Sequence, residues 1–183
     1  MSRAMTDPEV QALAALATTL QADYVVEDLA WQGSPFAWIR SRPSRQRGKI
    51  GEQLVAGWCA SRGLDVMGPP DGECDRVIGG LRAEIKFSTW WAQGGYTFQQ
   101  FRDQKYDIAI CLGISPFDAH CWVIPKQILQ QHVIGHLPQH TGTGGTETFW
   151  LQSLTPDDVP DWLAPWGGRL GDALKVLQRL SKR

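Results

Sequence analysis

The chain has 183 residues and a mass of 20.4 kDa, with 43% hydrophobic and 20% charged residues, which at this length is enough for one domain with a real core. Disorder and a fibrous repeat are excluded. Eighteen Lys+Arg stand against 19 Asp+Glu, a formal net charge of -1, so no global positive field draws the protein to nucleic acid or to a membrane surface.

Thr6 followed three residues later by Glu9 is a capping-box signature, and Val10, Leu13, Leu16, Ala17 and Leu20 follow at helical spacing, predicting a first helix to about Ala22. Residues 31–48 are rich in Trp, Pro, Ser, Gly and Arg and read as an irregular arm. Residues 40–49 hold five basic groups and no acid, whereas 127–168 contain no Lys or Arg. A charge run of this kind is either a solvated loop or a phosphate-facing arm, here through Arg42, Arg45, Arg47 and Lys49.

A second helix is predicted from about Lys49 to Gly63, with Ile50, Leu54 and Trp58 as its apolar stripe and Glu52 on the face of Val55, Ala56 and Cys59. Strands follow at LDVM (64–67), ECDRVI and LRAEIKFS, then a third helix over about 97–105, and strands at 107–114 and 119–124 around the turn SPFD. Beyond Pro125, KQILQQH reads as a short helix, TFWLQ as a strand, and the end as a helix from about Leu170. The longest apolar run, IAICLGI at 108–114, has the length of a buried strand and falls short of the roughly 18 to 20 residues that span a bilayer. Four scattered cysteines, with no CxxC pair and no basic-then-apolar leader, read as reduced thiols of a cytoplasmic protein that is not a membrane protein. Cys111 and Cys121 are candidate cross-strand neighbours.

Gly79-Gly80 between two strand-like runs predicts a two-residue hairpin, because a type I′ turn needs positive φ at both positions. That turn sets the register: Ile78 faces Leu81, Val77 faces Arg82, Arg76 faces Ala83, Asp75 faces Glu84 and Glu73 faces Lys86. With alternating side chains, Asp75, Glu84, Lys86 and Glu73 share one face, and Cys74, Ile78, Leu81, Ala83, Ile85 and Phe87 the other. Like charges opposed across a sheet destabilise it. A divalent cation removes that cost, since Mg²⁺ is held by one or two carboxylates plus waters and phosphate oxygens. Lys86 on the same face would then act on a water or on a phosphate. The bland alternative is a surface hairpin of solvated ion pairs.

Asp75 followed by the hydrophobic step Val77-Ile78 and by Glu84-Ile85-Lys86, with Glu52 upstream, resembles the PD-(D/E)XK nuclease superfamily over about residues 49–126. The residue before the Asp is Cys74, where the family pattern has Pro. The resemblance implies a restriction-endonuclease-like αβββαβ core, an α/β fold with a mixed central sheet flanked by helices. The N-terminal helix and arm (1–48) and an extension with a C-terminal helix (127–183) are added to it in a single domain. It implies Asp75, Glu84 and Glu52 as ligands of Mg²⁺, with Mn²⁺ as a substitute, Lys86 as the residue assisting water, and Gln100 near the scissile phosphate, with Gln104 one turn further along the third helix. Trp90 and Trp91 sit just after the ExK strand, where aromatic rings can stack on bases.

These readings lead to a Mg²⁺-dependent endonuclease acting on double-stranded DNA as a homodimer, of restriction type. Two alternatives are a structure-specific nuclease for junctions, flaps or mismatches, and a nucleic-acid-binding protein of the same fold without turnover. Paired carboxylates also serve glycoside hydrolysis, which has no use for Lys86. His132, His136 and His140 recur every four residues, but Gly135 and Pro138 interrupt the helix that would align them on zinc.

Overall fold

A computed structural model describes residues 7–140 and 147–181; the Thr6 capping residue and the Gly/Thr run at 141–146 lie outside them. In chain order the elements are α1 (Pro8–Ala30), α2 (Ala37–Arg40), α3 (Ser44–Ser61), β1 (Val66–Met67), β2 (Arg76–Ile78), β3 (Leu81–Thr89), β4 (Tyr96–Phe101), β5 (Ile108–Ile114), β6 (Ala119–Pro125), α4 (Lys126–His132), β7 (Phe149–Leu154), β8 (Gly167–Arg169) and α5 (Leu170–Ser181). Six strands form a mixed sheet in the order β1-β2-β3-β5-β6-β8, in which only β3 and β5 run parallel, and β4 pairs with β7 in a second, two-stranded sheet.

The mixed sheet flanked by helices is as the sequence predicts, and so are β5, β6, α4, β7 and α5. Gly79 and Gly80 have φ of 57° and 81°, and the predicted hairpin register holds from Ile78↔Leu81 to Arg76↔Ala83. Alternation along the strands then sends residues to two cores. Ile78, Ala83, Ile85, Ile108, Ile110, Cys121 and Val123 pack under Val55 and Cys59 of α3 and Ala173 and Leu177 of α5. Ala109, Cys111, Trp122 and Ile124 point to the opposite face, which Tyr96, Phe98 and Phe101 of β4 and Phe149 and Leu151 of β7 cover.

α3 lies close against β3. A Cβ built on Gly51 would stand 2.4 Å from the Cβ of Phe87, so the missing side chain is what admits this approach.

Four expectations change. The first helix starts from Asp7, whose carboxylate accepts from the Glu9 N–H at 2.9 Å, and it runs eight residues past Ala22. The arm at 31–48 is partly helical, because it contains α2 and the first turn of α3, which place Arg45, Arg47 and Lys49 on a helix. The third helix is absent: its residues form β4 and the extended stretch after it. Tyr96, Thr97 and Phe98 favour a pleated, half-buried surface, and pairing with β7 buries their aromatic rings. Cys111 pairs with Trp122, and Leu112 with Cys121; the two thiols therefore sit one register step apart, in different cores. All four cysteines are buried and free.

Candidate active site on strand β3

Glu84 and Lys86 alternate with Ala83, Ile85 and Phe87 along β3, so they point to the face covered by β4. Glu84 is 8% exposed, and a carboxylate so deeply buried requires a partner. The partner is Lys86, whose Nζ donates to Glu84 Oε1 at 2.6 Å. The same ammonium donates to the Gln100 carbonyl at 2.9 Å and stands 5.7 Å from the centre of the Phe101 ring. Three groups thus fix one cation at a stated point.

The Gln100 carbonyl reaches Lys86 because β4 is irregular there. Phe98 pairs with Leu151 and Phe101 with Phe149, which leaves one extra residue on β4, a bulge that redirects the backbone. Gln100 adopts a φ of 60°, an uncommon value for a residue with a side chain. Its N–H donates to Gln139 Oε1 at 2.8 Å, so a residue far along the chain holds the bulge.

Asp75 sits just outside the ladder, since β2 begins at Arg76. Its N–H donates to the Ala83 carbonyl at 2.9 Å, and its Oδ2 accepts from the Ile85 N–H at 2.7 Å. The carboxylate takes the place of a strand partner, and the predicted Asp75–Glu84 pairing is replaced by this clasp. Burial raises the Asp75 carboxyl above the ordinary range, and Glu84 and then Glu52 push it further; the Ile85 N–H and Lys86 oppose them. Glu84, Glu52 and Lys86 therefore all lie within electrostatic reach of Asp75.

Other predicted residues fall differently. Glu52 Oε2 pairs with Lys49 Nζ at 2.8 Å and with Arg76 Nη2 at 3.7 Å, and among the described residues no group of three His, Cys, Asp or Glu side chains is gathered as for a metal ion. The carboxylates available to a cation here are Asp75 and Glu84, with Glu52 behind Arg76. Glu73 turns away from Lys86, and its Oε2 accepts from the Lys105 N–H at 2.9 Å. Cys74 crosses to the core under β4 and β7, because the chain leaves the β2 ladder before Arg76 and the strict alternation ends there. Gln104 is in the stretch after β4, where its carbonyl accepts from Lys126 and its amide nitrogen lies 3.5 Å from the Gly72 carbonyl. It does not share a helix face with Gln100.

A cleft of about 270 Å³ opens beside Lys86, lined by Ser44, Arg47, Trp91, Thr97, Gln99 and Gln100 among others. Arg47 Nη2 donates to Ser44 Oγ at 3.1 Å. Among the described residues no carboxylate lies within ion-pair distance of Arg42, Arg45 or Arg47, whereas Arg40 binds Glu27 and Asp28 at 2.8 and 3.0 Å. Arg42 lies 5.8 Å from the Trp38 ring. Trp91 is 42% exposed at the cleft, but Trp90 is half-buried, packed edge-on against Tyr96 with ring centroids 5.1 Å apart and lying against both cores. His132 stacks on Trp162 at 4.7 Å, away from this cleft.

Phe101, Gln99 and Gln139 were not singled out from sequence. Phe101 and Gln99 carry a signal in the aromatic spacing YTFQQF after Gly94-Gly95, which suits a strand after a turn; Gln139 carries none.

No family model and no curated protein matches the sequence. Among solved structures, a bacterial homing endonuclease is similar at a TM-score of 0.49 and 15% identity, over 78% of this chain and 98% of that one.

Proposed function

We propose that the protein is a metal-dependent DNA endonuclease that hydrolyses phosphodiester bonds at β3. The observation that carries this reading is Lys86, held at 2.6 Å from Glu84 and 2.9 Å from the Gln100 carbonyl, beside an Asp75 carboxyl that burial and Glu84 both disfavour in its charged form. Two neighbouring carboxylates, Glu84 buried and Asp75 partly so, have one ammonium, bonded to Glu84, to offset them, and this donor set of hard oxygens suits Mg²⁺ or Mn²⁺ completed by water and substrate phosphate. Asp75 and Glu84 would hold the ion. When bound, such an ion supplies Lewis acidity toward a phosphoryl oxygen and lowers the pKa of coordinated water.

The chain's own groups then have distinct tasks. The Ile85 N–H holds one Asp75 oxygen and leaves the other free. Glu84 and the Gln100 carbonyl aim the Lys86 ammonium, whose remaining proton can donate to the attacking water or to a phosphate oxygen and offset charge developing in the transition state. Arg47 at the cleft, with Arg42 and Arg45 exposed nearby, provides the local positive field that the net charge of -1 cannot provide globally, and Trp91 offers a ring for base stacking. Double-stranded DNA is the proposed substrate. Cutting both strands with one site per chain favours a two-fold homodimer, and buried thiols suit a reducing cytoplasm. Among the described residues no helix is long and apolar enough to cross a membrane.

The test is conversion of supercoiled plasmid to nicked and linear forms. Cleavage with Mg²⁺ or Mn²⁺ that stops in excess chelator is the expected result. DNA binding without cleavage under either cation would replace this reading with a non-catalytic binding protein.

A further inference from the structure

A second recess, of about 460 Å³, adjoins the cleft at Lys86 and lies between the C-terminal end of α1 and the chain that follows β3. Three indoles line it: Trp31 is buried, Trp90 half-buried and Trp91 exposed. Arg47, Thr89 and Trp91 border both hollows, so the recess opens onto the place proposed for the scissile phosphate. Its charged lining is Arg47 together with Arg40 and Glu27, which hold each other at 2.8 Å, with the Arg40 guanidinium 5.8 Å from the centre of the Trp31 ring. We infer that this recess receives one unstacked base of the DNA, so that the favoured substrate is a duplex with an unpaired nucleotide close to the bond that is cut. The inference rests on the nuclease reading and adds to it the place of a base.

The lining suits a base in kind and in size. Every base has a π-face that an aromatic ring can stack on, a carboxylate accepts from a base amino group, and a guanidinium donates to base oxygens and ring nitrogens. The volume falls within the roughly 300–1,000 Å³ typical of sites for small organic ligands. Trp91 is also fixed in place: its N–H donates to the Gly95 carbonyl at 3.0 Å, and its carbonyl accepts from the Gly94 N–H at 2.9 Å. The exposed ring therefore stands on a closed turn. Reach follows from the strand. Thr89 lies three residues beyond Lys86 on β3, about 10 Å of strand, and a DNA strand advances about 3.4 Å per nucleotide, so the base belongs within about three nucleotides of the cut. Arg47 stands at the shared border, bonded to Ser44 Oγ, where a guanidinium can hold the intervening phosphate. Extruding a paired base costs its pairing and stacking, and a nucleotide that is already unpaired avoids most of that cost.

The test compares a fully paired duplex with the same duplex carrying one unpaired nucleotide at its centre. Binding is read by fluorescence anisotropy in excess chelator, and the positions of cleavage are then mapped in Mg²⁺. The full chain should bind the second duplex tighter by about tenfold or more and cut it within about three nucleotides of the unpaired base. Trp91→Ala should bring the two affinities to within about twofold, and Trp91→Phe, which keeps a ring, should retain most of the preference. Because Trp91 is exposed, both variants should melt within a few degrees of wild type. Equal affinities for the two duplexes, or a preference undiminished in Trp91→Ala, overturns the inference. Either result, with plasmid cleavage in Mg²⁺ intact, removes the base from the recess and leaves the nuclease reading standing; DNA of both forms neither bound nor cut removes the two together.

Discussion

The two faces of the six-stranded sheet are covered by different means. Under α3 and α5 the sheet presents mainly aliphatic side chains, and the residues that β3 turns to that side, Leu81, Ala83, Ile85, Phe87 and Thr89, carry no charge. Under β4 and β7 the cover is aromatic, and β3 places Glu84 and Lys86 among those rings. The helix-covered face can be packed for stability alone. The strand-covered face also has to satisfy buried charge, and it does so with a bulge, a left-handed Gln100 and a backbone carbonyl aimed at an ammonium. The proposed chemistry lies where a pleated cover brings a backbone acceptor to buried side chains.

The comparison breaks most visibly at Phe98, which is fully buried on β4. Phe98→Ala should destabilise the fold by about 3–5 kcal/mol in urea unfolding and remove cleavage as well, because β4 carries the carbonyl that holds Lys86. Cleavage that survives in the folded fraction would show that β4 only covers the sheet. On the other face, Gly51→Ala presses a methyl group onto Phe87 and should cost about 1–3 kcal/mol, with Asp75, Glu84 and Lys86 still in place. Thermal melts and cleavage by the folded protein separate these two responses.

Asp75→Asn sharpens the contrast further, because it should stabilise the protein at neutral pH while abolishing cleavage. The amide oxygen can still accept from the Ile85 N–H, and the charge that burial and Glu84 oppose is gone. The sign follows from linkage. A carboxyl raised in the folded state binds protons that the unfolded chain has lost, so this group favours folding at low pH and its contribution falls as pH rises through its folded value. Stability of Asp75→Asn should therefore fall less than that of wild type between the acid range and neutrality. An equal or steeper fall would mean that Asp75 is not the strained group.

Much of the hairpin was legible in the sequence. Gly79-Gly80 set the turn, three residue pairs followed, and Glu84 and Lys86 fell on one face by parity alone. Parity failed at Asp75, where a side chain replaced a ladder partner and sent Cys74 to the other core; a clasp to the Ile85 N–H is a local choice that no alternation encodes. The stretch 97–105 reads as a helix between strands along the chain, although Tyr96, Thr97 and Phe98 by themselves favour a strand. The contact from Lys86 to the Gln100 carbonyl depends on a bulge held by Gln139, a tertiary bond that leaves no sequence pattern. The apolar stripe of α1 was visible from Val10 to Leu20, but its lack of cover was not, because periodicity reports a face and not what lies against it.

The central claim is that Lys86 is poised for phosphodiester chemistry and is not merely the partner of Glu84. Single-turnover cleavage of plasmid DNA by Lys86→Met, compared with wild type under saturating Mg²⁺, tests it most directly. Loss of an electrostatic group that acts in the transition state predicts a rate lower by about 10²-fold or more, with DNA affinity largely retained. Cleavage at the wild-type rate by the folded variant would contradict the account and return Glu84 and Lys86 to the role of a buried ion pair.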